Sequence, residues 1–187
     1  MIKIIAPLIF LSFSQKILCQ SKFKSQTSIS VDSQNEVGKD FLFPDCVSIK
    51  GLKYNSQSLK RKITLVNFWF EACEPCIAEM GKLNQIYNKY KANKNFSLVS
   101  FTFESTHDAL KMANKYSLNY PIICISQDQC YKLNFYHGFP TNIITDNLGK
   151  VSYLSVGSPT DPIEVEKYFN DDIVSKINEL LNCNAKQ

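Results

Sequence analysis

The segment Lys62 to Phe70, KITLVNFWF, constrains the fold more than any other part of this 187-residue chain. It is a near-continuous apolar and aromatic run, the pattern of a central strand buried on both faces. Helical spacing follows at once: Ile77, Met80, Leu83, Ile86 or Tyr87, and Tyr90 lie three to four residues apart. Asn93 to Asn95 end that helix, and Phe96 to Phe103 (FSLVSFTF) reads as a second central strand. Thr106 is placed to cap a short helix through Tyr116. Tyr120 to Ile125 is a third strand, and Asp128 to Leu133 a short helix. Thr141 to Thr145 and Val151 to Val156 flank Asp146-Asn147-Leu148-Gly149, a hairpin turn signal. A last helix is expected from about Ile163 to Leu181. The order β-α-β-α-β-(α)-β-β-α implies an α/β protein with a mixed central sheet and helices on both faces.

Composition narrows the function. The chain is 44 % hydrophobic, near the globular norm, which excludes wholesale disorder. Its length suits one domain plus a short extension. The net charge of +4 comes almost entirely from lysine, since Arg61 is the only arginine. Bidentate recognition of phosphates and bases relies on arginine, so nucleic-acid binding is not expected. Two histidines exclude a His-rich metal site, and seven cysteines are many for a reducing cytosol.

The N-terminus points the same way. Lys3 precedes an apolar run, Ile4 to Phe13, about half the length needed to span a bilayer but proportioned like a signal-peptide core. Residues 1–21 are therefore expected to be an export signal or short membrane anchor, residues 22–36 a polar flexible spacer, and residues 37–187 the folded domain. Cleavage after Ser14 or Ser21 and lipidation at Cys19 remain open at this level.

Chemistry concentrates in Asn67 to Glu79, NFWFEACEPCIAE. A Cys-x-x-Cys pair leaves a buried strand and opens an amphipathic helix. Cys73 would sit at the helix N-terminus, where free backbone N–H groups stabilise a thiolate. Cys76, one turn on, is placed to attack a mixed disulfide formed on Cys73. Pro75 falls in the first turn, where its missing N–H matters little. Glu74 puts a carboxylate beside the thiolate and opposes its ionisation. Half a zinc site is the other use of such a pair, but Cys124 and Cys130 are poorly spaced to complete it. Dithiol redox chemistry fits better and requires no metal or organic cofactor.

The segment NFWFEACEPCIAEM resembles the active site of thioredoxin-fold proteins, most closely the exported TlpA/ResA-type thiol–disulfide oxidoreductases. GFPTNIITDNLGKVSY, Gly138 to Tyr153, resembles the second signature of that family. The resemblance spans about Gly38 to Leu181. It implies a thioredoxin fold with an N-terminal extension, Cys73 as nucleophile, Cys76 as resolving thiol, and Pro140 as a cis-proline facing them. Ala72 stands where many relatives carry Trp, which implies a more open rim. Asn67 stands where thioredoxin has a buried Asp, and it cannot take a proton. Glu79, three residues after Cys76, matches an acid of ResA-like members and becomes the third candidate catalytic residue. Trp69, Glu74, Pro75, Phe139 and Pro140 are the candidate substrate-binding residues, with Phe139 shaping the groove.

Cys124 and Cys130 read as small buried hydrophobes, although their separation also permits a bridge. His107 and His137 read as surface residues, with His137 close enough in sequence to Pro140 to approach the thiols. The function expected is an exported monomeric oxidoreductase that reduces disulfides of partner proteins and is recharged by an upstream thiol donor, with membrane contact only through an N-terminal anchor. A peroxiredoxin shares the fold, but Phe70 occupies its Thr position and Arg61 lies outside the motif. A non-catalytic Cys-x-x-Cys metal chaperone or assembly factor is the third class.

Overall fold

The computed structural model describes residues 33–184. The expected export signal, and the spacer up to residue 32, lie outside the described residues. The rest of that spacer, Ser33–Glu36, is not irregular but forms a 3₁₀ turn.

A five-stranded mixed sheet forms the centre, in the order β5-β4-β3-β6-β7. Its strands are β3 (Ile63–Trp69), β4 (Phe96–Thr102), β5 (Ile122–Cys124), β6 (Thr141–Thr145) and β7 (Val151–Val156). β3 runs parallel to β4 and antiparallel to β6. All seven of its residues are buried, which is why the run carries no polar–apolar alternation. β6 and β7 form the expected hairpin. The Asp146 carboxylate accepts the N–H groups of Leu148 and Lys150, and Gly149 takes a positive φ of 82° that disfavours other residues.

One face of the sheet is covered by α2 (Glu74–Tyr90), α3 (Thr106–Lys115) and the C-terminal helical run. That run comprises α5 (Pro162–Tyr168), a π-helical segment (Phe169–Val174) and α6 (Ser175–Asn184). The single helix expected over 163–181 is thus interrupted by a wider turn that apolar spacing does not encode. The cap of α3 is Ser105, whose hydroxyl accepts the Asp108 N–H, and not Thr106, which is already helical.

Among the described residues, the opposite face has only α4 (Gln127–Leu133) and the short α1 (Ser56–Leu59) for helical cover. The chain ahead of α1 completes it. It contributes a small hairpin, β1 (Cys46–Val47) with β2 (Lys53–Tyr54), that hydrophobic pattern did not reveal. Phe41 and Phe43 pack into this second core, and the Phe43 ring lies 5.3 Å from Phe101, itself stacked on Phe68 at 5.4 Å. Backbone bonds from Gly38 to Val151 and from Phe41 to Gly149 tie the segment to the edge of the sheet. The N-terminal extension is therefore part of the core. Phe43→Ala should lower stability by about 3–5 kcal/mol, read as a fall in the urea midpoint with an unchanged slope.

Candidate active site

The end of β3 delivers the site. After Trp69 the chain turns over Phe70 to Ala72 and enters α2 with Cys73 as its N-cap. The Cys73 sulfur accepts the Cys76 N–H at 3.3 Å, so a free donor of the first helical turn points at it. Pro75 occupies the first turn as expected, and Glu74 is exposed beside it. Cys73 and Cys76 are joined as a disulfide. In this oxidised form Cys73 is 5 % exposed, against 0 % for Cys76. Cys73 is the sulfur nearer solvent, but both are shielded by the aromatic side chains around them.

The Phe139–Pro140 peptide bond is cis. The loop is fixed on both sides of Phe139: the Gly138 carbonyl accepts the Thr141 hydroxyl and the Pro140 carbonyl accepts the Gly157 N–H. Phe139 is half-buried within a cluster of aromatic rings. Its centroid lies 5.4 Å from Phe70, 5.7 Å from Phe103 and 5.5 Å from Tyr131, each edge-to-face. Only Phe139 of this group was legible as a groove residue. Phe70, Phe103 and Tyr131 come from three separate elements that the topology brings together. Trp69, expected on the rim, is 1 % exposed and belongs to the core, so it is unavailable to a partner.

Glu79 is the second centre of the site. It lies one turn beyond Cys76 on the buried side of α2 and is wholly enclosed. Asn67 of β3 donates to its Oε1 at 2.7 Å, and Asn142 of β6 donates to its Oε2 at 3.0 Å. Burial pushes the Glu79 carboxyl up to about 8, and the two amides hold it from rising further. Asn67, set aside because it cannot take a proton, is thus a direct partner of the residue that can. Asn142 was missed altogether. Its strand reads TNIIT, where an amide beside a threonine carries no distinguishing signal. Tyr120, buried nearby, has its hydroxyl held well above its ordinary range by burial and by the charge of Glu79.

Of the remaining described cysteines, Cys183 is disulfide-bonded and three stand apart. Cys46, Cys124 and Cys130 are free, so the bridge that the spacing of Cys124 and Cys130 permitted is not formed. Cys130 is fully buried, and its thiol is pushed up to about 12, as expected of a small hydrophobe. His137 spends its carbonyl on the Asn134 amide, within the turn that leads to the cis-prolyl loop.

A dithiol at the mouth of a helix that leaves the central strand, next to a cis-prolyl loop, defines a thioredoxin-fold protein built for thiol–disulfide exchange. Comparison with known proteins agrees. The AhpC/TSA family profile matches residues 29–154. The chain is 30 % identical over 140 residues to the thiol-disulfide oxidoreductase ResA of Geobacillus kaustophilus, covering 74 % of this chain and 76 % of that one. It is 30 % identical over 129 residues to ResA of Bacillus thuringiensis, covering 67 % and 72 %. The thioredoxin domain of a thiol-disulfide oxidoreductase from Bacteroides vulgatus shares the fold with a TM-score of 0.58, at 24 % identity over 71 % of this chain and 96 % of that domain. The chain belongs to the AhpC/TSA family and is, within it, a ResA-type thiol–disulfide oxidoreductase.

The raised Glu79 carboxyl has a consequence for stability. In the unfolded chain it ionises near 4.5, and in the folded chain near 8. The folded state therefore binds the extra proton between those values. The stability contributed is full below the lower value and is lost as pH rises through the higher one. Thermal melts of the full chain between pH 5 and 8.5 should show the wild type losing ground against Glu79→Gln as pH rises. A constant gap would mean that Glu79 does not titrate in this window.

Proposed function

We propose that this oxidoreductase reduces disulfides of partner proteins outside the cytoplasm, with Cys73 as nucleophile, Cys76 as resolving thiol and Glu79 as the proton acceptor for Cys76. The observation that carries the proposal is the pairing of a helix-capping dithiol with a buried carboxyl one turn further along the same helix. The reduced enzyme enters as a Cys73 thiolate, stabilised by the N–H groups of the first turn of α2. It attacks one sulfur of the partner disulfide, and the other partner sulfur leaves as a thiolate. Cys76 then gives its proton to Glu79 and attacks the Cys73 sulfur. The second partner thiol is released, and the Cys73–Cys76 disulfide forms. Two electrons have passed to the partner. An upstream thiol donor returns them, and Glu79 returns its proton to Cys76.

Export is supported by the short apolar N-terminal run and by the cysteine content. The partner strand would lie along the cis-prolyl loop, paired mainly through backbone groups, with Phe139 and its ring cluster as an apolar wall beside the bound disulfide. Glu74 and Pro75 would line the other side.

Cys73→Ser should abolish reduction of a protein disulfide. Cys76→Ser should retain the first step and accumulate the mixed disulfide, visible as a DTT-sensitive adduct on non-reducing gels. Full turnover by the Cys76 variant would replace the two-thiol scheme with a monothiol one. The groove is tested separately. Phe139→Thr removes the ring that holds the cluster together, and should change protein-disulfide reduction rates at least several-fold more than those of a small disulfide. Equal rates on both substrates would place the groove elsewhere.

A further inference from the structure

On the face of the sheet covered by α2, one rung is polar across four strands. Strand register aligns Ser100 of β4 with Asn67 of β3, Asn67 with Asn142 of β6, and Asn142 with Ser155 of β7. All four side chains are buried. On the neighbouring rung of the same face Leu98, Leu65 and Ile144 are apolar, and Tyr153 of β7 ends it. Four buried polar side chains in one line across a hydrophobic sheet are expensive unless each finds a partner. The hydrogen bonds of Ser100, Asn67 and Asn142 lead to Glu79.

The direction of each bond from Ser100 through to Glu79 is determined. The Ser100 hydroxyl donates to Asn67 Oδ1 at 3.2 Å. That leaves the Asn67 amide group to donate, and it does so to both Glu79 Oε1 and Asn142 Oδ1, the latter at 3.0 Å. Accepting there leaves the Asn142 amide group to donate to Glu79 Oε2. Turning Asn142 over would set oxygen against carboxylate oxygen and N–H against N–H, and turning Asn67 over would set its oxygen against both Glu79 Oε1 and Asn142 Oδ1. On the far side of Asn142, the Ser155 hydroxyl is bonded to Tyr168 of α5. Both carboxyl oxygens of Glu79 thus face N–H donors whose orientation is set elsewhere in the sheet.

We propose that Asn142, together with Asn67, is a positioning residue for disulfide exchange: the two amides hold the Glu79 carboxyl in one orientation and set the pH range over which it takes the proton of Cys76. The second part rests on the role given to Glu79 above. The ionisable groups around Glu79 are Cys76 and Cys73 at the start of α2, Tyr120 ahead of β5, and Tyr168 on α5, with Tyr153 and Asp172 behind Tyr168. The strands themselves present only amides and hydroxyls to it. Donated N–H bonds favour the ionised carboxylate, so losing one should make Glu79 harder to ionise.

The test uses the full chain with ¹³C-labelled glutamate. The Glu79 carboxyl resonance is followed against pH, and the rate of mixed-disulfide resolution is measured over the same range in single turnover. Asn142→Leu should move the carboxyl midpoint and the rising limb of the rate profile upward together, by about one pH unit for the loss of one charged hydrogen bond. Ser100→Ala, a milder change that frees the Asn67 amide to turn, should move both in the same direction by less, and it decides the matter if Asn142→Leu does not fold. A midpoint unmoved in the folded variants, or a rate lowered equally at every pH, would overturn the proposal and leave the rung a structural feature. Glu79→Gln separates the two claims. If it leaves the wild-type rate profile intact, the assignment of Glu79 to Cys76 fails, while the carboxyl resonance still decides whether the amides hold the group.

Discussion

Everything around the active site depends on burying a carboxyl group beneath a dithiol. An isolated carboxylate in an apolar interior is strongly disfavoured, and a group so placed either stays protonated or must be given donors. Here the two effects are balanced. Burial pushes Glu79 up, two amides favour its ionised form, and the result lies near neutrality at about 8. A fully solvated Glu would be ionised under all ordinary conditions. A buried one without donors would remain protonated. Only the combination provides a group able to accept and return a proton at working pH.

The fold supplies that combination through strand register. β3 carries Asn67 into the middle of the sheet and Cys73 to its end within one continuous stretch, so the amide and the thiol are held by the same strand. α2 then folds back over the sheet, and its second turn places Glu79 above the polar rung. Because β6 carries both Asn142 and the cis-prolyl loop, the residue that orients Glu79 and the residues that line the groove move as one unit. A shift of β6 against β3 by one residue would turn Asn142 to the opposite face and leave Glu79 with a single donor.

The aromatic residues divide between the two cores. Phe68 and Phe101 seal the face that lacks a long helix, with Phe41 and Phe43 from the N-terminal extension completing it. Phe70, Phe103 and Phe139 continue the same aromatic packing to the end of the sheet and stop at the dithiol. Stiff rings with few rotatable bonds present a defined apolar surface beside the disulfide at little entropic loss.

The sequence by itself determined the elements and the reacting pair. Residue types set local preference: a near-continuous apolar run of this length favours a covered strand, three- to four-residue spacing favours a helix face, and two cysteines one turn apart at their junction share a helix end. Those are relations between residues close along the chain, and Cys73, Cys76 and the β6–β7 hairpin were legible for that reason, whereas Glu79 was picked out by the family resemblance. The tertiary structure decided what lies between distant residues. Asn67 and Asn142 are 75 positions apart, and nothing local says that one donates to the other across two strands. Trp69 reads equally well as rim or core until α2 is laid over it. The short β1–β2 hairpin and the π segment carry no periodicity of their own, because packing against an existing core holds them in place. Above all, the chemistry of Glu79 depends on how completely it is enclosed and on which atoms of its neighbours face it, and both are properties of the assembled sheet and helices.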